Sequence, residues 1–170
     1  MKTTFILLIF NITFCFSQNL TLDEASSLRT KSIGEVEETL TSKNWTLLNA
    51  EAPKDGEDGL INFAFSKNSY DDKALAFLWL IYSKTTIVKR VEIQINKKEF
   101  YDKYIARIKS LGCKLITSKV KDGEIVKVYR GKSTTFEVTV TTNKELDSET
   151  KTAYYLYITS NSDYIKNFKE

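Results

Sequence analysis

"KLITSKVKDGEIVKVY" (Lys114–Tyr129) places two runs of strand-forming residues on either side of Asp122-Gly123. An Asp-Gly pair accepts positive φ at both central positions, as a two-residue turn matched to the twist of its flanking strands requires. The stretch predicts an antiparallel hairpin. Its central tetrapeptide returns in "PKDGEDG" (Pro53–Gly59), between "WTLLNAEA" (Trp45–Ala52) and "LINFAF" (Leu60–Phe65), with a longer connection. An acidic Gly-containing loop used twice suggests a cation site. However, an EF-hand loop needs Asp or Asn at alternate positions and a Glu at the twelfth, and neither copy has them. Both copies are read as turns.

Working outward, the helices before the hairpins also correspond. Ser32–Lys43 carries Ile33, Val36 and Leu40 at helical spacing, with Glu35, Glu37 and Glu38 near the N-terminal end where a helix dipole favours them. Lys98–Leu111 carries Tyr101, Tyr104, Ile105, Ile108 and Leu111. A shift of 68 residues lays Ile33 on Tyr101, Val36 on Tyr104 and Leu40 on Ile108. The register continues through "SKNWTLL" (Ser42–Leu48) and "SLGCKLI" (Ser110–Ile116). There Asn44 meets Gly112, two residue types that accept the left-handed conformation ending many helices.

Two further strands follow each hairpin: "ALAFLWLIY" (Ala74–Tyr82) and "IVKRVEIQI" (Ile87–Ile95), then "TFEVTVT" (Thr135–Thr141) and "AYYLYIT" (Ala153–Thr159). Val91, Ile93 and Ile95 alternate with polar residues, as do Phe136, Val138 and Val140, which marks a sheet with one face on a core. "ALAFLWLIY" is apolar on both faces. The expected reading is a central strand covered on both sides; with one side uncovered, its exposed set would mark a partner or ligand surface.

The expected fold class is α+β, a tandem duplication of a helix-plus-four-stranded antiparallel unit. "SDYIKNFK" (Ser162–Lys169) closes it as a short helix capped by Ser162 or Asp163. The units run over 32–96 and 97–170, after an N-terminal extension over 18–31. This element order is similar to that of the β-lactamase inhibitory proteins, whose concave sheet binds a partner protein. The resemblance implies a sheet-face binding mode and transfers no residue, since those proteins carry disulfides that this chain lacks.

The chain opens with "MKTTFILLIFNITFCFSQ", one lysine before an apolar run from Phe5 to Phe16. That run is too short and interrupted for a membrane span and suits a secretory signal peptide over 1–17, cleaved between Ser17 and Gln18. A lipid anchor at Cys15 is the rival reading, and the bulky Phe14 before it argues against that. The mature 153 residues suffice for one core and contain no transmembrane segment. With Lys2 gone from the 25 basic residues, 24 face 22 acidic ones, too even a balance to call for nucleic acid. Cys113, then the only cysteine, is read as a buried small hydrophobe.

No histidine is present, which excludes Ser-His-Asp and Cys-His catalysis and the usual zinc sites. "RGKST" (Arg130–Thr134) lacks the earlier glycine and the following helix of a P-loop. No catalytic residue, metal ligand or cofactor is assigned, and the chain is not expected to be an enzyme. The candidate binding residues are aromatic. Tyr155 and Tyr157 lie opposite Tyr154, Leu156 and Ile158 in their strand and are expected to face outward beside lysines; Tyr129 joins them from a second strand. Tyrosine beside cationic side chains is interface composition. The expected function is a secreted or periplasmic, non-catalytic module that engages a partner protein through its sheet face. The alternative is a carrier holding a small apolar ligand between sheet and helices against Phe77 and Trp79.

Overall fold

The computed structural model describes residues 20–167 apart from 55, 69, 71–73, 86–87 and 145–149. The leader, Cys15 and the proposed cleavage position lie outside the described residues. The described chain forms four α-helices and one eight-stranded antiparallel sheet. Helices α1 (Leu22–Ser27) and α2 (Ile33–Thr41) precede β1 (Trp45–Glu51), β2 (Gly59–Phe65), β3 (Ala76–Tyr82) and β4 (Val88–Ile95). Helix α3 (Lys98–Ser110) precedes β5 (Lys114–Lys121), β6 (Glu124–Arg130), β7 (Thr134–Lys144) and β8 (Thr150–Ser160), and α4 (Asn161–Asn167) closes the chain. Strand order is β1-β2-β3-β4-β8-β7-β6-β5, so two four-stranded meanders join through β4 and β8.

The halves share local devices as well as element order. Asp122 (φ 52°) and Gly123 (φ 82°) make the tight β5–β6 turn, closing Lys121 onto Glu124. In the longer β1–β2 connection Gly56 sits at φ 83° and the Glu57 amide donates to the Lys54 carbonyl at 3.1 Å. Asn44 (φ 61°) ends α2 and Gly112 (φ 75°) ends α3, each donating its amide to the carbonyl three residues back. Strand pairing slips between Leu47 and Asn49 in one half and between Leu115 and Thr117 in the other, so bulges fall at Leu48 and Ile116, again 68 apart.

Helices α1 to α3 cover one face of the sheet. Val36 and Leu40 from α2 and Phe100, Tyr104 and Ile108 from α3 meet Phe63, Leu78, Leu80, Ile93, Val138, Leu156 and Ile158 from five strands. Each such side chain withdrawn from water stabilises the fold by about 1.5–3 kcal/mol before conformational entropy is set against it.

The stripe of α3 differs from the sequence reading. Phe100, Tyr104 and Ile108, spaced by four, are buried, while Leu111 is 45% exposed and Tyr101 stacks on Tyr154 with centroids 4.4 Å apart. The N-terminal extension also proves to be structural. Thr21 and Glu24 form a capping box, the Thr21 amide donating to Glu24 Oε2 at 2.8 Å, and Leu20, Leu22, Ala25 and Leu28 are buried. Ser32 and Glu35 cap α2 in the same way. Tyr104 donates its hydroxyl to the Leu20 carbonyl at 2.6 Å, and burial raises the affinity of that phenol for its proton.

Helix α4 lies on the opposite face. Its cap is Ser160, whose Oγ accepts from the Asp163 amide at 3.0 Å, rather than Ser162 or Asp163. Tyr164 covers Val126 and Val128 on the side of the sheet that the other helices leave open. No helix among the described residues is long and apolar enough to cross a membrane.

Candidate functional site

Cross-strand pairing fixes which side chains share the open face. One row runs through Asn62, Trp79, Glu92, Tyr157, Glu137 and Val128, contributed in turn by β2, β3, β4, β8, β7 and β6. A neighbouring row brings Ala64, Phe77, Gln94, Tyr155, Thr139 and Val126 into line. Four of the five aromatic candidates from the sequence therefore lie together: Phe77, Trp79, Tyr155 and Tyr157. Phe77 and Trp79 stack at a centroid distance of 5.9 Å and an interplanar angle of 28°.

Tyr129 does not join them. It pairs with Phe136, which pairs with Ile158, and it is 5% exposed in the helix-side core. The strand "EIVKVYR" is apolar on both faces, with Val126 and Val128 in one phase and Ile125 and Tyr129 in the other, so alternation alone could not orient it. Phe77 and Trp79, for their part, point away from α1 to α3 and do not border the sheet–helix space in which a carrier would hold its ligand. The expectation that β3 is covered on both sides gives way as well: Leu78 and Leu80 are fully buried, while Phe77, Trp79 and Ile81 are half-buried on a face with no described helix over them.

Tyr157 is flanked by the carboxylates of Glu92 and Glu137 and Tyr155 by Gln94 and Thr139, rather than by lysines. Glu92 stands between Trp79 and Tyr157. Burial raises its affinity for a proton, only partly offset by a hydrogen bond from the Tyr157 hydroxyl. Burial and the charges of Glu92 and Glu137 together hold the Tyr157 phenol protonated. Tyr155 and Tyr157 also border an open hollow of about 370 Å³, which Lys121, Asp122 and Glu124 at the β5–β6 turn line as well.

Helix α4 answers polar groups of β4 and of the second half. Arg90 donates through Nε to Asp163 Oδ2 at 2.6 Å and through Nη2 to Oδ1 at 3.2 Å, and Thr159 Oγ1 donates to Oδ2 at 2.8 Å. Burial alone would raise the Asp163 pKa; these bonds and the Arg90 charge bring it below the usual carboxylate value. The Tyr164 hydroxyl donates to Glu137 Oε2 at 3.0 Å, and the Arg130 guanidinium lies 6.0 Å from the Tyr164 ring centroid. Burial and the Glu137 carboxylate push the Tyr164 phenol up to about 12. Asn161 fastens the helix start, accepting from Thr135 Oγ1 at 2.8 Å and donating to the Gly131 and Lys132 carbonyls.

Cys113 is half-buried near Gly131, and burial pushes its thiol pKa up, which lowers its nucleophilic fraction near neutrality. Among the described residues no cluster of three or more His, Cys, Asp or Glu is placed to hold a metal. What the open face offers is an aromatic surface with the carboxylates of Glu92 and Glu137 and the amides of Asn62 and Gln94 set into it. Such a surface has the chemistry of a recognition face. The chain matches no family model, no curated protein and no solved structure at a significant level.

Proposed function

We propose that this protein is a non-catalytic binding module that engages a partner protein through the open sheet face of its first half and the adjoining strand β8. The observation that carries the reading is the half-buried Phe77–Trp79 stack, with Ile81 beside it, on a face over which no described helix lies. Large aromatic rings held rigid on a sheet lose little conformational entropy when they are covered, which is why such residues recur as interface anchors. The N-terminal stretch supports export, so the partner would be met in the cell envelope or outside the cell. We also propose that the two halves arose by tandem duplication. The 68-residue correspondence of helix ends and bulges supports this, as does the Lys-Asp-Gly-Glu turn repeated 67 residues on.

The test is affinity capture from envelope and culture extract with the wild-type chain and with Trp79→Ala and Tyr157→Ala. One stoichiometric protein retained by the wild type and lost by both variants, with unchanged circular dichroism, is the expected result. Retention by all three would remove the face from the account.

A further inference from the structure

Among the described residues, Glu92 is a charge that no cation answers. Where α4 lies on the sheet, Arg90 meets Asp163 and Glu137 meets the Tyr164 hydroxyl. Glu92 receives the Tyr157 hydroxyl, and among the described residues no lysine or arginine forms an ion pair with it. Arg90, two residues back along β4, has both Nε and Nη2 on Asp163. A half-buried carboxylate without a cation is costly to keep ionised. Here it is also placed beside an indole ring, since Trp79 is its direct neighbour on β3.

A ring face and a carboxylate side by side attract a cation through two terms at once, the ring quadrupole and the full negative charge. A guanidinium is planar and weakly hydrated, so it can lie on the indole while its N–H groups point in-plane at the carboxylate. An ammonium is compact and strongly hydrated, and satisfies the two less well together. Glu137 lies two strands beyond Glu92 in the same row, about 10 Å away at ordinary strand spacing, and adds negative potential without blocking the indole.

We infer that the Trp79–Glu92–Tyr157 row seats an arginine side chain projecting from the partner protein. This rests on the sheet-face reading above and names the chemistry that would satisfy it. Covering the carboxylate with a guanidinium supplies the missing counter-charge as the partner excludes water from the aromatic face. Binding should therefore weaken with added salt less steeply than at an exposed ion pair.

The test is a random-peptide display library panned against the full chain, with selected peptides then titrated against Glu92→Gln and Trp79→Ala. Glu92→Gln is nearly isosteric, and Trp79→Phe replaces the alanine variant if that fails to fold. The expected result is enrichment of arginine-containing peptides that bind about tenfold or more weakly to Glu92→Gln. Exchanging their arginine for citrulline should cause a comparable loss. Peptides that require Trp79 but bind Glu92→Gln as well as wild type would overturn the arginine seat and leave the docking face standing. Peptides in which lysine serves as well as arginine would overturn the guanidinium assignment. Selected peptides indifferent to both substitutions, or no selected peptide at all, would overturn the seat and the docking face together.

Discussion

The two halves of the open sheet face are built on the same backbone plan and finished differently. Over β6 and β7 the closing helix lays Tyr164 on Val126 and Val128 and meets Arg90, Glu137 and Arg130 with groups of its own. Over β2 and β3 no described helix does the same, because the segment after β4 turns to the other face as α3 and spends its aromatic stripe on the helix-side core. One half carries its own cover; the other leaves Phe77 and Trp79 half in water. The contrast suggests that a meander of this kind is complete only when both faces are covered. In the first half no described helix supplies that cover, and the proposed partner would do so.

The largest expected effect separates the two faces of β3. Leu80→Ala removes a fully buried side chain and should cost about 2–5 kcal/mol in denaturant unfolding, whereas Trp79→Ala, one residue earlier on the open face, should cost about 1–2 kcal/mol. Equal costs would mean that the face is covered after all. Next comes the clasp of α4: Asp163→Ala leaves Arg90 without its bidentate partner and should cost about 1–3 kcal/mol. The sign with pH follows from the lowered Asp163 pKa. Its contribution is present above the unfolded value of 3.8 and is lost as pH falls through the folded value, so the gap between wild type and variant should close in acid.

Glu92 should behave in the opposite sense. Its folded pKa lies above the unfolded value of 4.5, so its favourable contribution is full below that pH and is lost as pH rises through the raised value. Glu92→Gln should flatten this part of the stability profile in urea unfolding at stepped pH; a slope unchanged by the substitution would show that the carboxylate is not desolvated. The smallest effect compares the two helix ends. Gly112→Ala forces a side chain to φ 75° and should cost about 1 kcal/mol, while Asn44→Gly, at φ 61°, should change stability by a few tenths in the favourable direction.

The parts of the fold that could be read from the chain are those set by residues near one another in sequence. Asp122-Gly123, Asn44 and Gly112 announce positive φ, and the alternation in β4 and β7 shows which set faces the core. The Thr21–Glu24 capping box was equally local, and the Thr-x-x-Glu pattern in "TLDE" would have shown that residues 18–31 include a helix. What local rules could not supply was the destination of α4. That depends on Arg90 reaching Asp163 across 73 residues, and on Val126 and Val128 needing a cover that strand periodicity does not indicate. Tyr129 was misplaced for a related reason, since a strand apolar on both faces gives alternation nothing to choose between. The candidate site was thus legible as a set of aromatic residues, while its two carboxylates emerged only when cross-strand pairing put Glu92 and Glu137 on either side of Tyr157.

The central claim is that a partner occupies the uncovered half and not the half closed by α4. Site-specific photo-crosslinking tests it most directly, with p-benzoylphenylalanine in place of Phe77 on the open face and, separately, in place of the exposed Ile165 on α4. After irradiation in extract of the source organism, the account predicts one discrete higher-mass adduct from position 77 and none from position 165. An adduct from position 165 alone, or from neither position, would contradict it.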